Sequence, residues 1–200
     1  MFIGKYNKSV IITYIGVIFG LLGVYFTICS NISSAIICLI LAGICDMFDG
    51  KVARMCKRDD SEKEFGIQLD SLADVFLFVA FPAVMGVKFF SQMPVLNIVL
   101  ILYMLAGIIR LAWFNMIADI DGPVKYYTGL PVTSIAIILP IFYAISLVFK
   151  FEFTYLAALI YLLVGIFFIL NVKIPKTKGI WYVIFSLLAV IFTTIIIIWG

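Results

Sequence analysis

The sequence predicts an all-α fold, a polytopic integral membrane helical bundle. Two observations carry this. Hydrophobic residues make up 65% of the 200-residue chain and charged residues only 12%, with a mean hydropathy of +1.23. Soluble domains carry about 45–50% apolar and about 25% charged residues. In addition, seven apolar stretches reach or approach the roughly 20 residues a helix needs to cross a bilayer core of about 30 Å. A secreted disulfide scaffold, a disordered chain and a soluble enzyme are excluded together.

The seven spans are 10–28, 33–50, 68–88, 94–116, 130–149, 153–171 and 180–199. The first follows Lys5 and Lys8. It is too long for a signal peptide and lacks a small-residue cleavage site, so it counts as a span. Residues 1–8 read as an interfacial lead-in. Cys29, Cys38, Cys45 and Cys56 show no CxxC spacing and read as reduced packing residues, and the chain has no histidine. Zinc or haem held by His, and Ser-His catalysis, are therefore excluded.

Lysine and arginine in short loops set orientation. With the N-terminus inside, Lys5, Lys8, Lys51, Arg54, Lys57, Arg58, Lys63, Lys125, Lys173, Lys176 and Lys178 lie on the inner side, against Lys88 and Lys150 outside. Eleven against two predicts a multi-pass plasma-membrane protein with its N-terminus and the 51–63 loop on the cytoplasmic side and its C-terminus outside. Arg110 stands near the inner end of the fourth span.

Carboxylates in spans are costly, at about 2.5–3.5 kcal/mol each on insertion scales. Asp46 and Asp49 are spaced i, i+3, and Gly50, Ala53 and Arg54 continue their face. Gly66, Asp70 and Asp74 step by four on the next helix. Two antiparallel neighbours would point four carboxylates at one place, and that much negative charge demands a cation. Oxygen ligands without His or thiolate favour Mg²⁺, Mn²⁺ or Ca²⁺. Four carboxylates can hold two such ions roughly 3.5–4 Å apart, an arrangement that clamps phosphates. Gly50, Ala53 and Gly66 clear the helix surfaces for a nucleotide, and Arg54 supplies a fixed cation. Asp59, Asp60, Glu62 and Glu64, interleaved with Lys57, Arg58 and Lys63, read as a solvated loop, and Asp119 and Asp121 as turn residues before Gly122-Pro123.

The run Asp46-x2-Asp49-Gly50-x2-Ala53-Arg54, followed by Gly66-x3-Asp70-x3-Asp74, resembles the signature of the CDP-alcohol phosphotransferases at all eight fixed positions. The spacer between Arg54 and Gly66 is longer than is common in the family, and Gly16 stands where the first span often carries asparagine. The resemblance implies a six-helix membrane core, usually homodimeric. It also implies transfer of a phosphoalcohol unit from a CDP-linked donor to an acceptor hydroxyl, with release of CMP. By the same likeness, Asp46, Asp49, Asp70 and Asp74 bind two divalent ions (Mg²⁺ or Mn²⁺). Asp46, Asp49, Gly50, Ala53, Arg54, Gly66 and Asp70 bind the CDP, and Asp74 is the base. On this reading residues 1–178 form the family domain, and 179–200 add one C-terminal transmembrane helix.

Arg110-x3-Phe114-Asn115, Tyr127-x-Gly129-Leu-Pro131 and Lys173-Ile-Pro175 are similar to segments of the phosphatidylserine synthase branch. That likeness implies L-serine as acceptor and CDP-diacylglycerol or CDP-archaeol as lipid donor. Arg110, Asn115 and Lys125 become the serine-binding candidates, with Arg110 suited to forking a carboxylate. Glycerol phosphate, inositol phosphate or ethanolamine-type acceptors remain alternatives. So does a cation-coupled transporter, although the outer halves of the spans lack the polar path it needs. Gly16-xxx-Gly20 fits a helix contact within or between chains. No nucleic-acid partner is expected.

Overall fold

The computed structural model describes residues 3–121, 126–175 and 180–200. Among these, Lys8–Ile28, Ile32–Met55, Asp60–Phe89, Pro94–Ile117 and Val132–Phe149 are long and apolar enough to cross a membrane. Thr154–Ile169 and Val183–Trp199 are shorter apolar helices. They fall on the seven predicted stretches.

Helix α1 (Ile11–Ile28) and α2 (Ile32–Met55) form an antiparallel hairpin. Ser30 turns the chain in the left-handed region (φ 63°), and the Asn31 side chain caps α2 by accepting from the Ser34 amide at 3.0 Å. Gly16 faces Cys45 and Leu77, and Gly20 faces Leu77 and Phe76. The small-residue spacing thus serves a contact within the chain.

Helix α3 (Asp60–Asp74) begins inside the segment that reads as a solvated loop. Asp59 accepts from the Glu62 amide at 2.7 Å, and Glu62 Oε2 accepts from the Asp59 amide at 3.0 Å. This capping box satisfies two amides that the first turn leaves without partners. It converts most of the long spacer into helix. The Ser61 hydroxyl and the Glu62 amide hold the Asp59 carboxyl below its ordinary value. The cap's contribution is therefore complete above about pH 4 and is lost as pH falls through the lowered value. Hydrogen-exchange protection of the first amides of α3, taken relative to the intrinsic exchange rate at each pH, is expected to fall on acidification, and Asp59→Ala should abolish that change in protection.

Past Asp74 the helix widens into a π-helical segment, Val75–Ala80, then continues as α4 (Phe81–Phe89). Pro82 explains part of this. It has no amide to give the Phe78 carbonyl four residues earlier. The Tyr103 hydroxyl donates to that carbonyl instead, and Tyr161 donates to the Pro82 carbonyl. Both tyrosines are fully buried and stack edge-to-face at 5.1 Å. Tyr103→Phe removes this buried hydrogen bond to the Phe78 carbonyl and is expected to destabilise the fold by about 0.5–1.5 kcal/mol, measured as a lower unfolding temperature in detergent.

Helix α5 (Asn97–Asp121) packs against α7 (Thr154–Ile169). It runs through Asp119 and Asp121, so the turn expected there is helical backbone. Helix α6 (Ile135–Phe149) follows the short 3-10 turn Val132–Ser134. Two three-residue strands, β1 (Tyr126–Thr128) and β2 (Lys173–Pro175), pair antiparallel with Tyr127 opposite Ile174. They are a small addition to an otherwise helical fold. Helix α8 (Ile180–Trp199) packs against α6 and α2.

The centre is filled by Ile36 and Leu39 of α2, Phe78, Phe81 and Met85 of the third span, and Ile135 and Leu139 of α6. Between lipid-embedded helices close packing replaces the hydrophobic effect as the cohesive force. Accordingly a Cβ on Gly107 would lie 2.7 Å from Val79. The outward faces stay apolar: Ile98, Ile101, Leu102 and Leu105 of α5 are exposed as a stripe suited to lipid.

Candidate active site

Two faces meet at one end of the bundle. The last turns of α2 present Asp46, Asp49, Gly50, Ala53 and Arg54, and α3 presents Gly66, Asp70 and Asp74. One carboxylate oxygen each from Asp46, Asp49 and Asp70 lies within 4.8 Å of the others. Asp74 falls outside this triplet; its carboxyl pairs with that of Asp46, while Asp49 pairs with Asp70. Asp49 is 9% exposed and accepts from the Thr13 hydroxyl of α1 at 3.3 Å. Among the described residues the salt bridge present is Lys63–Asp60 at 2.8 Å, on the exposed first turn of α3. The clustered carboxylates face one another instead. Such a group of like charges requires a counter-charge. The three-oxygen donor set fits a hard divalent cation.

Two cavities adjoin this cluster. The smaller, about 200 Å³, is lined by Gly50, Ala53, Arg54, Gly66 and Asp70, with Ser9, Thr13 and Arg58. Most helix glycines are filled by neighbours: a Cβ on Gly43 would lie 2.8 Å from the Ala136 Cβ. Gly50 and Gly66 differ. A Cβ there would meet only the guanidinium ends of Arg54 and Arg58, at 3.6 Å. Their missing side chains serve an open cradle with two arginines at its edge, a surface suited to a phosphorylated ligand. Nothing in the sequence marks Arg58, Ser9 or Thr13 for this cavity. Arg58 sits in a charged run and the other two at a helix start, and only the fold brings them here.

The larger cavity, about 510 Å³, is lined by Asp46, Asp49, Asp70 and Asp74 at its polar end, together with Arg54 and Arg110. Arg110 is 6% exposed, so it is no snorkelling anchor. Its Nε donates to the Leu130 carbonyl at 3.2 Å and its Cζ lies 5.4 Å from the Phe114 ring centre. Gly129 makes that contact possible. It adopts φ +76°, and a Cβ would lie 2.6 Å from the Phe168 carbonyl. The Leu130 amide donates to the Phe167 carbonyl at 2.9 Å, which fixes the loop over Arg110. The Gly-Leu-Pro segment thus holds the arginine as well as leading into α6.

Asn115 lines neither cavity; its Oδ1 accepts from the Ser71 hydroxyl at 3.1 Å and ties α5 to α3. Lys125 lies outside the described residues. Thr133 and Ser134 border the larger cavity, and the buried Ser134 Oγ has no hydrogen-bond partner among the described residues. No sequence signal beyond their place after Gly129-Leu-Pro131 marks them.

The comparisons with known proteins agree with this geometry. A family described as CDP-alcohol phosphatidyltransferase matches residues 6–198, a range that includes α8. The chain is 33% identical to archaetidylserine synthase of Methanothermobacter thermautotrophicus over 80% of its length and 66% of the relative's. It is 36% identical to the CDP-diacylglycerol–serine O-phosphatidyltransferase of Saccharomyces cerevisiae over 53% of its length and 40% of the relative's. It is 24% identical to that of Helicobacter pylori over 88% of its length and 76% of the relative's. The match therefore spans just under two thirds of the archaeal relative and two fifths of the yeast one. Clustered carboxylates, an open glycine cradle and a match along nearly the whole chain lead to one statement: the chain belongs to the CDP-alcohol phosphatidyltransferase family.

Proposed function

We propose that the protein is a phosphatidylserine or archaetidylserine synthase. It transfers the phosphatidyl unit of CDP-diacylglycerol or CDP-archaeol to the hydroxyl of L-serine and releases CMP. The observation that carries this reading is the group of Asp46, Asp49 and Asp70 oxygens within 4.8 Å, bordered by the cavity of Gly50, Gly66 and Arg54 on one side and that of Arg110 on the other. The relatives' names supply the acceptor: one is an archaetidylserine synthase and others are serine O-phosphatidyltransferases.

In this reading Asp46, Asp49 and Asp70, with Asp74 beside them, hold two divalent ions, Mg²⁺ or Mn²⁺. Bound there, such ions offset the charge of the diphosphate and polarise the phosphate that carries the lipid. The CDP lies along Gly50, Ala53 and Gly66, with Arg54 and Arg58 on its phosphates. Arg110 receives the serine carboxylate, oriented by Leu130 and Phe114. Asp74 takes the proton of the serine hydroxyl. That oxygen forms the new bond to phosphorus, the bond from phosphorus to the CMP oxygen breaks, and CMP departs with the electron pair. Loop charges favour a site open to the cytoplasm, where serine is dissolved, and the family likeness favours a homodimer.

The test is CMP release and lipid product from purified protein given a CDP-lipid and Mn²⁺, with L-serine, glycerol 3-phosphate, inositol phosphate or ethanolamine. The expected result is product with serine alone. Turnover with another acceptor would overturn the serine assignment and leave the family chemistry standing.

A further inference from the structure

The two cavities differ in their walls. The larger takes in apolar groups of α8, among them Phe185 and Phe192. The smaller is lined mostly by charged and hydroxyl-bearing side chains, and one of these has no task in the mechanism above. Ser9 lines that cavity and is only 3% exposed, yet its Oγ has no hydrogen-bond partner among the described residues. Buried polar groups ordinarily have a partner, because leaving one unmade is costly.

The position of Ser9 is also fixed. It sits in the 3-10 turn Lys8–Val10 that leads into α1, and its amide donates to Asn7 Oδ1 at 3.2 Å. Asn7 Nδ2 donates to the Lys57 carbonyl at 3.1 Å, next to Arg58. One side chain thus ties the Ser9 turn to the loop that carries Arg58. Four residues beyond Ser9, Thr13 lines the same cavity and donates to Asp49. Thr13 marks the level of the carboxylates, and Ser9 stands about one helical turn, roughly 5–6 Å, away from it.

Resting on the function proposed above, we infer that Ser9 is a binding residue for the nucleoside half of the CDP donor, with its hydroxyl hydrogen-bonded to cytosine or ribose. The diphosphate is anionic and meets Arg54 and Arg58 on the cavity wall, where a neutral hydroxyl adds little. The nucleoside is neutral but rich in donors and acceptors, and enclosing it requires partners of its own. Joined to a diphosphate at the carboxylates, it must lie away from them, and Ser9 stands one turn away. Serine's candidate partner, Arg110, lies in the other cavity.

The experiment measures binding of CMP and of inorganic pyrophosphate to the full-length protein in detergent with Mn²⁺, by calorimetry. Ser9→Ala is expected to weaken CMP binding about threefold to tenfold, the worth of one neutral hydrogen bond, and to leave pyrophosphate binding unchanged. Ser9→Cys is close in size and only a weak hydrogen-bonding group. It should fall between the two, and it guards against an alanine variant that does not fold. UMP and 2′-deoxy-CMP locate the contact. A preference for CMP over UMP that narrows in Ser9→Ala puts the hydroxyl on cytosine, and a narrowed preference over the deoxy form puts it on ribose; both support the proposal. Unchanged CMP affinity in folded Ser9→Ala overturns it. An equal loss for pyrophosphate overturns it too, since that is what a purely structural role produces. Wild-type protein that binds pyrophosphate but not CMP would overturn the CDP reading of the site and this inference with it. No acceptor is present, so failure of the serine assignment leaves the readout intact.

Discussion

Asp74→Asn is expected to slow transfer by about a thousandfold, within the range that loss of a general base produces, while the protein stays folded and still binds divalent ions. The reason is placement. Asp46, Asp49 and Asp70 bring their oxygens within 4.8 Å of one another, and Asp74 stands outside that triplet, beside Asp46. An amide keeps the size and hydrogen-bonding capacity of the carboxyl but accepts no proton from the attacking hydroxyl. Measured kcat, together with Mn²⁺ affinity by calorimetry, separates the roles. Asp46→Asn and Asp70→Asn should weaken metal binding strongly. An Asp74→Asn variant that loses metal as severely would make Asp74 a ligand first and would remove the base from the mechanism.

Arg110→Lys should raise the KM for serine by about tenfold to a hundredfold, the worth of a hydrogen bond to a charged group, with little change in the KM for the CDP-lipid. Lysine keeps the charge but loses the planar fork that matches a carboxylate. Arg110 is held by the Leu130 carbonyl and the Phe114 ring, so its guanidinium enters the cavity in one orientation. A purely structural role would move both KM values, or lower the unfolding temperature without a selective effect on serine. The split between the two KM values is the discriminating reading.

Much of this site is legible in the sequence because helical periodicity is local. Spacings of three and four residues place Asp46, Asp49, Gly50, Ala53 and Arg54 on one face, and Gly66, Asp70 and Asp74 on another, without knowledge of the fold. Antiparallel neighbours then require the faces to meet. The remainder depends on contacts distant in sequence. Thr13 reaches Asp49 across 36 positions, and Arg110 reaches Leu130 across 20. Neither pattern leaves a periodic trace. Asn115 shows the converse: its place next to Phe114 suggests the acceptor site, but one helical position turns it towards Ser71.

Charge density hides structure as well. The residues from Lys57 to Glu64 read as solvated loop, yet Asp59 and Glu62 have the spacing of a capping box, and that signal outweighs polarity. The π-helical segment after Asp74 has its trace in Pro82, whose missing amide is seen only once Tyr103 is placed against Phe78. Helix α8 is readable as a span, but its share of the cavity wall depends on its packing against α2 and α6.

The central claim is that the serine hydroxyl attacks the lipid-bearing phosphate at the carboxylate cluster. Serine labelled with heavy oxygen in its side-chain hydroxyl tests it most directly. Incubated with a CDP-lipid and Mn²⁺, it should give a lipid in which the heavy oxygen bridges phosphorus and the serine carbon, with unlabelled CMP released in equal amount. Product lipid without the label, or CMP released with no serine in the lipid, would contradict the claim.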